Sequence, residues 1–154
     1  MAIRVCVKTL IERQGRYLIQ KYEYPNEIFY ELPGGKVEQN ELLEEAVRRE
    51  LTEETGFELL ESRLVGMCED IFTGEEFRRR YPEHAHKLVF LFTCRVGERR
   101  MPTAVDVGQT EEVWLTPQEI AGLNIRPRIL REPKVWAQLR TAEHVLVFPS
   151  IRTE

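Results

Sequence analysis

The stretch GKVEQNELLEEAVRRELTEETGF, from Gly35 to Phe57, carries the strongest periodic signal in the chain. At 3.6 residues per turn it predicts a helix from about Leu42 to Thr55, and Gly56 is placed to end that helix in the left-handed conformation. Leu43, Val47, Glu50 and Glu54 are spaced four, three and four residues apart and therefore share one stripe. The stripe begins apolar, as a core-facing surface should, and ends in carboxylates, with Glu53 adjoining at three residues from Glu50. Like charges at such spacings repel by about 0.3 kcal/mol per pair, and by more when partly buried. A solvated acidic face offset by Arg48 and Arg49 would account for the pattern. So would a hard divalent cation such as Mg²⁺ held among the carboxylates.

Working outward, Ile28 to Leu32 reads as a short strand that ends at Pro33-Gly34-Gly35, where a tight turn should lead into the helix. Earlier still, Ile3, Val5 and Val7 alternate with Arg4, Cys6 and Lys8 as in a half-buried strand. Gln14-Gly15 then turns the chain into a second strand around Tyr17 to Tyr22. Beyond the helix, Phe57 to Phe72 reads as one or two strands, and Leu88 to Val96 as a central strand buried on both faces. Val113 to Leu115 is a further strand, after which Thr116-Pro117-Gln118-Glu119 has the cap, the proline and the acid that start a short helix. The tail predicts a helix near Arg128 to Arg140 and a strand at Val145 to Phe148. No linker or repeat interrupts the pattern, so residues 1–154 are expected to form one α/β domain.

Composition narrows the function. The chain has 22 basic and 26 acidic residues and a net charge of −4, which is not the profile of a general nucleic-acid binder. No apolar run is long enough to span a bilayer, and the start lacks the apolar stretch of a signal peptide, so no membrane partner is expected. Cys6, Cys68 and Cys94 are odd in number and widely spaced, which suits a reducing cytoplasm better than a disulfide framework or a zinc site. His84, His86 and His144 form no metal set and are expected at the surface.

The spacing within the opening stretch is specific: Gly35, five residues, Glu41, seven residues, then Arg49-Glu50-Leu51, Thr52, Glu53-Glu54, Thr55, Gly56-Phe57. Every fixed position matches the signature of the MutT-like Nudix hydrolases, and the chain resembles that family over Gly35 to Phe57, extended by Leu32-Pro33-Gly34. Two departures fall at unrestricted places. Asn40 stands where many members have Gly, and Leu42 where a Ser or Thr commonly caps the helix. The resemblance implies a Nudix-type α/β/α sandwich with a mixed central sheet and a loop-helix-loop catalytic motif. It implies that Glu50 and Glu54 bind metal ions, Mg²⁺ or alternatively Mn²⁺, and that Glu53 binds a further ion or orients water. The carbonyl of Gly34 or Gly35 would add a ligand, while Arg49 and Glu41 would hold the motif in shape.

The same resemblance implies a nucleotide substrate, a nucleoside diphosphate linked to another moiety, split by in-line attack of water. Family members differ in whether this helix or a later loop supplies the general base, and the loop candidates here are Asp106, Glu111 and Glu112. Arg78-Arg79-Arg80-Tyr81, expected on a loop between two strands, reads either as a phosphate clamp or as a solvated tip balanced by Glu75, Glu76 and Glu83. Tyr22, Tyr24, Phe29 and Phe72 could stack on a base, or simply pack in the core. Two other functions fit the family: a nucleotide-sensing module without turnover, disfavoured because all three glutamates are present, and an RNA-end processing enzyme, disfavoured by the acidic balance. Oligomeric state is not legible.

Overall fold

A computed structural model describes residues 2–104 and 108–153, and within them two mixed β-sheets are covered by helices. In chain order the elements are β1 (Arg4–Leu10), β2 (Glu12–Arg13), β3 (Arg16–Tyr24), β4 (Glu27–Glu31), β5 (Gly34–Lys36), α1 (Leu43–Thr55), β6 (Phe57–Phe72) and α2 (Glu75–Arg80). There follow β7 (His86–Arg99), β8 (Gln109–Leu115), α3 (Pro117–Ile120), β9 (Ile125–Arg126), α4 (Pro133–Arg140), β10 (Leu146–Val147) and β11 (Ile151–Thr153). The first sheet runs β10-β6-β7-β1-β5, with β11 also on β6; the second runs β2-β3-β4-β9, with β8 on β3.

Period-two alternation on the central strands supplies two cores. Val7 and Phe92 face α1, where Ala46, Val47 and Leu51 are fully buried, while Leu10, Val89 and Leu91 face Trp136 and Leu139 of α4. Neighbours on β7 thus point to opposite helical layers, as its continuous apolar run predicts, and the sandwich expected from the sequence is present. Covering both faces has a price that alternation alone concealed: Lys8, on the polar side of β1, is 7% exposed rather than solvated.

The structure corrects several expectations. Gly34 and Gly35 form strand β5, paired with Lys8 and Val7, and not a turn. The turn into α1 comes later, at Asn40, whose φ of 67° is left-handed; this is why glycine suits the position, and asparagine is among the few other residues that tolerate it. Leu42 gives α1 no side-chain cap, but the Leu42 amide donates to Glu45 Oε2 at 3.4 Å, which retains half of a capping box. Arg78, Arg79 and Arg80 close a short helix, α2, instead of a loop, with Glu75 and Glu76 in its first turn and the arginines in its last, each sign where the helix dipole favours it. The tail helix is broken: a 3-10 turn at Arg128–Arg131 precedes α4, because Pro133 can begin a helix but not continue one.

Candidate active site

Arg49 organises the acidic face of α1. Its Nε donates to Glu41 Oε2 at 2.7 Å and one Nη to Glu41 Oε1 at 2.9 Å, a two-pronged pair that fixes the guanidinium plane. The same Nη donates to the Lys36 carbonyl at 2.9 Å, and the other reaches Glu50 Oε1 at 2.9 Å and Glu53 Oε2 at 3.4 Å. One arginine therefore ties β5, the approach to the helix and two helix carboxylates together. Its hydrogen bonds hold the Glu41 carboxyl below the usual range, while burial, only partly opposed by Arg49, raises that of Glu50.

Glu54 is held differently. Its Oε2 accepts from the Gly34 amide at 2.9 Å, so the buried carboxylate is tied to β5. Gly35 explains its own lack of a side chain, since a Cβ there would lie 2.6 Å from Glu50 Oε1. Beside Gly34 on β1, Lys8 Nζ donates to Glu31 Oε2 at 3.1 Å in a pair 9% and 13% exposed. Burial works against both charges, yet Glu31 and then Glu54 keep the ammonium firmly charged, and Lys8 foremost holds Glu31 down at about 2.

A Glu31 carboxyl lowered in the folded state from 4.5 to about 2 stabilises the protein in its ionised form. That contribution is full above the ordinary carboxylate range and is lost as pH falls from 4.5 towards 2. Glu31→Gln leaves the Lys8 ammonium buried with only Glu54 near, and is expected to cost about 3 kcal/mol at neutral pH. Melting curves of both proteins at stepped pH should converge towards pH 2; parallel curves would show that the pair does not carry this pH dependence.

Between the two sheets, and open beside Gly34 and Gly35, lies a cavity of about 260 Å³. Tyr22 and Phe29 stack at 5.0 Å with planes 2° apart, Tyr24 continues the row at 5.8 Å from Phe29, and Phe77 and Tyr81 stand on the wall formed by α2. Arg126 lies 4.0 Å over the Phe29 ring and pairs with Glu27. Arg4, Lys8, Lys87 and Glu31 complete the charged lining, with the His84 ring beside them.

The sequence model of the NUDIX domain matches residues 2–136, which is most of the chain. The chain belongs to the Nudix family. It is 29% identical over 135 residues to the nucleoside triphosphatase NudI of Escherichia coli O139:H28, a match spanning 83% of this chain and 94% of that one. Among solved structures, a Nudix hydrolase from Nitrosomonas europaea superposes with a TM-score of 0.72 at 22% identity, covering 92% of both chains. A MutT protein from Bacillus halodurans superposes with a TM-score of 0.71 at 18% identity, covering 97% of this chain and 90% of that one. As a Nudix hydrolase the protein is an enzyme of the pyrophosphohydrolase class, and enzymes of this family generally use divalent metal ions.

The donor set of this Nudix helix fits such an ion. Glu50, Glu53 and Glu54 offer hard carboxylate oxygens from one side of α1, and the missing Cβ of Gly35 leaves the Glu50 carboxylate room beside β5. Among the described residues no three Asp, Glu, His or Cys side chains are already gathered in a coordinating group. Arg49 stands against Glu50 and Glu53, and the Gly34 amide against Glu54, so the carboxylates are held by cationic and N–H donors in the places where an ion would compete.

Other sequence candidates scatter. Arg78, Arg79 and Arg80 are exposed and outside the cavity lining, Arg80 pairing with Glu76, whereas Tyr81 lines the cavity. Tyr22, Tyr24 and Phe29 line it too, while Phe72 lies behind, 4.4 Å from Phe77. Glu111, exposed near Lys21, and Glu112, paired with Arg99, are both on β8 and away from the lining; Asp106 lies outside the described residues. His144 is exposed as expected, but His84 lines the cavity and His86 Nε2 lies 2.7 Å from Glu69 Oε2. Missed by the sequence reading are Arg4, Lys8, Lys87, Arg126 and Glu31, charged residues on strands whose exposure alternation could not decide. Among the described residues no helix is long and apolar enough to cross a membrane.

Proposed function

We propose that the protein hydrolyses, with Mg²⁺, a phosphoanhydride bond in a nucleoside diphosphate linked to another moiety. The observation that carries this reading is the contiguity of the carboxylate face of α1 with a cavity that offers stacked rings and cations, meeting at Gly34 and Gly35. The rings provide flat apolar surface for a base, and the cations offset the charge of phosphates in an acidic chain.

Water attacks a phosphorus bearing anionic oxygens slowly, because charge repels the nucleophile and builds on the leaving group. Divalent ions, when bound by Glu50, Glu53 and Glu54, supply charge neutralisation and a more acidic water. The chain's own residues do the rest. Arg49 and the Gly34 amide limit where the carboxylates can point, and an ion held among them would take over contacts that these donors now make. Glu53, 38% exposed against 12% for Glu50, is the carboxylate most open to solvent and the one best placed to orient water.

The test is a panel of nucleoside triphosphates, nucleotide sugars such as ADP-ribose, and dinucleoside polyphosphates, incubated with Mg²⁺ and assayed for released monophosphate or diphosphate. Triphosphates come first because the similar curated proteins are nucleoside triphosphatases. At least one class should turn over and stop on chelation. Nucleotide binding with no release from any class would favour the sensing module instead.

A further inference from the structure

The cavity is overcharged in a specific way. Its two carboxylates are both engaged, Glu31 by Lys8 and Glu27 by Arg126. That leaves Arg4 and Lys87, which are direct neighbours across the β1–β7 pairing and whose side chains make no hydrogen bond or ion pair with any described residue. Both line the cavity, and Arg4 also lines the shallow recess that holds Gly35, Lys36, Glu38 and Glu50. Arg4 therefore stands on the boundary between the carboxylate face and the aromatic end, where a polyphosphate spanning the two must pass. His84 adds no charge near neutrality, since burial and then the nearby Lys87 and Arg4 hold its pKa at about 4.

From this juxtaposition we infer that Arg4 and Lys87 form a phosphate clamp, seating the phosphoryl group that joins the reacting centre to the base-binding end of the cavity. The inference rests on the nucleotide reading above and adds the residues that seat the phosphate. It also moves that role from the exposed Arg78 to Arg80 run to two strand residues. A desolvated ammonium with no ion pair of its own, whose burial Glu31 offsets only in part, is costly to the free protein, and an anionic oxygen arriving between Lys87 and Arg4 lowers that cost. Burial does hold the Lys87 amine below its usual pKa, with Glu31 only partly opposing and Lys8 and Arg126 adding to the depression.

Calorimetric titration of the full chain with adenosine and with ADP, in EDTA, tests the clamp without needing turnover. ADP should bind roughly tenfold or more tightly than adenosine, the size of one charge-assisted hydrogen bond, and the ratio should fall towards one in Lys87→Met and Arg4→Met and recover in Lys87→Arg. Lys87→Met should also melt higher than the parent protein, an outcome opposite to that of removing a structural lysine. A ratio near one in the parent, no binding of either ligand at millimolar concentration, or a ratio that survives in both methionine variants would overturn the clamp. Absence of hydrolysis across the substrate panel, with the ADP preference and its loss in the variants intact, would count against the enzymatic reading alone.

Discussion

Glu54→Gln is expected to lower kcat by at least on the order of 100-fold while leaving the melting temperature close to that of the parent. The two halves of this expectation come from different atoms of one side chain. The structural task of Glu54 is to accept the Gly34 amide proton at 2.9 Å, and the glutamine carbonyl oxygen accepts the same bond. Size and burial are unchanged, so α1 remains docked on β5. What is lost is the charge, and with it the hard oxygen donor that a divalent ion requires. Lys8, which feels Glu54 second after Glu31, keeps its partner at 3.1 Å. Glu53→Gln should show the same separation, because its carboxylate is half-open and, among the described residues, is held by a single 3.4 Å contact from Arg49. The measurement is kcat and KM on whichever substrate the panel identifies, alongside thermal melts. Near-parental activity in both variants would remove these carboxylates from the reaction, and a melt lowered as far as the activity would assign Glu54 to folding instead.

These carboxylates were legible in the sequence because a helix converts spacing into direction. Leu43 and Val47 had to face a core, and the positions of Glu50 and Glu54 on the same stripe followed, as did the supporting pair of Glu41 and Arg49. Strands give weaker information. Alternation states that Arg4, Cys6 and Lys8 share a side, but not whether another sheet covers that side. Here β3 and β4 do, and what reads as a solvated edge becomes the floor of a cavity. The same gap hid Glu31 and Arg126, which belong together only because β4 pairs with β9 across a sequence separation too long for local pattern to bridge. Arg78 to Arg80 illustrate the converse: a conspicuous run in sequence, satisfied locally by the dipole of α2 and by Glu76, and turned outward. Conspicuous charge marks solvent here, and the charge that lines the cavity is dispersed over β1, β4, β7 and β9.

Gly34→Ala is the substitution expected to damage both fold and activity. Gly34 has a φ of 149°, which side-chain-bearing residues rarely adopt, and a Cβ built there would fall 2.0 Å from the Val7 carbonyl oxygen and 2.9 Å from the Lys8 Cα. Neither neighbour is a flexible side-chain tip. Both belong to the backbone of β1, whose other edge is paired along its whole length with β7, so β1 cannot retreat without disturbing the central strands. Strand β5 must move instead. Backbone strain and overpacking together are worth about 4 kcal/mol, or roughly 8–16 °C of melting temperature for a chain of this size. Displacing β5 also withdraws the amide that orients Glu54 and carries Lys36, whose carbonyl holds Arg49, away from the helix. Activity should therefore fall even at temperatures where the variant is folded, unlike a substitution that only destabilises. A Gly34→Ala protein that melts within a degree or two of the parent and turns over normally would mean that the β1–β5 contact is not what sets the geometry of the carboxylate face.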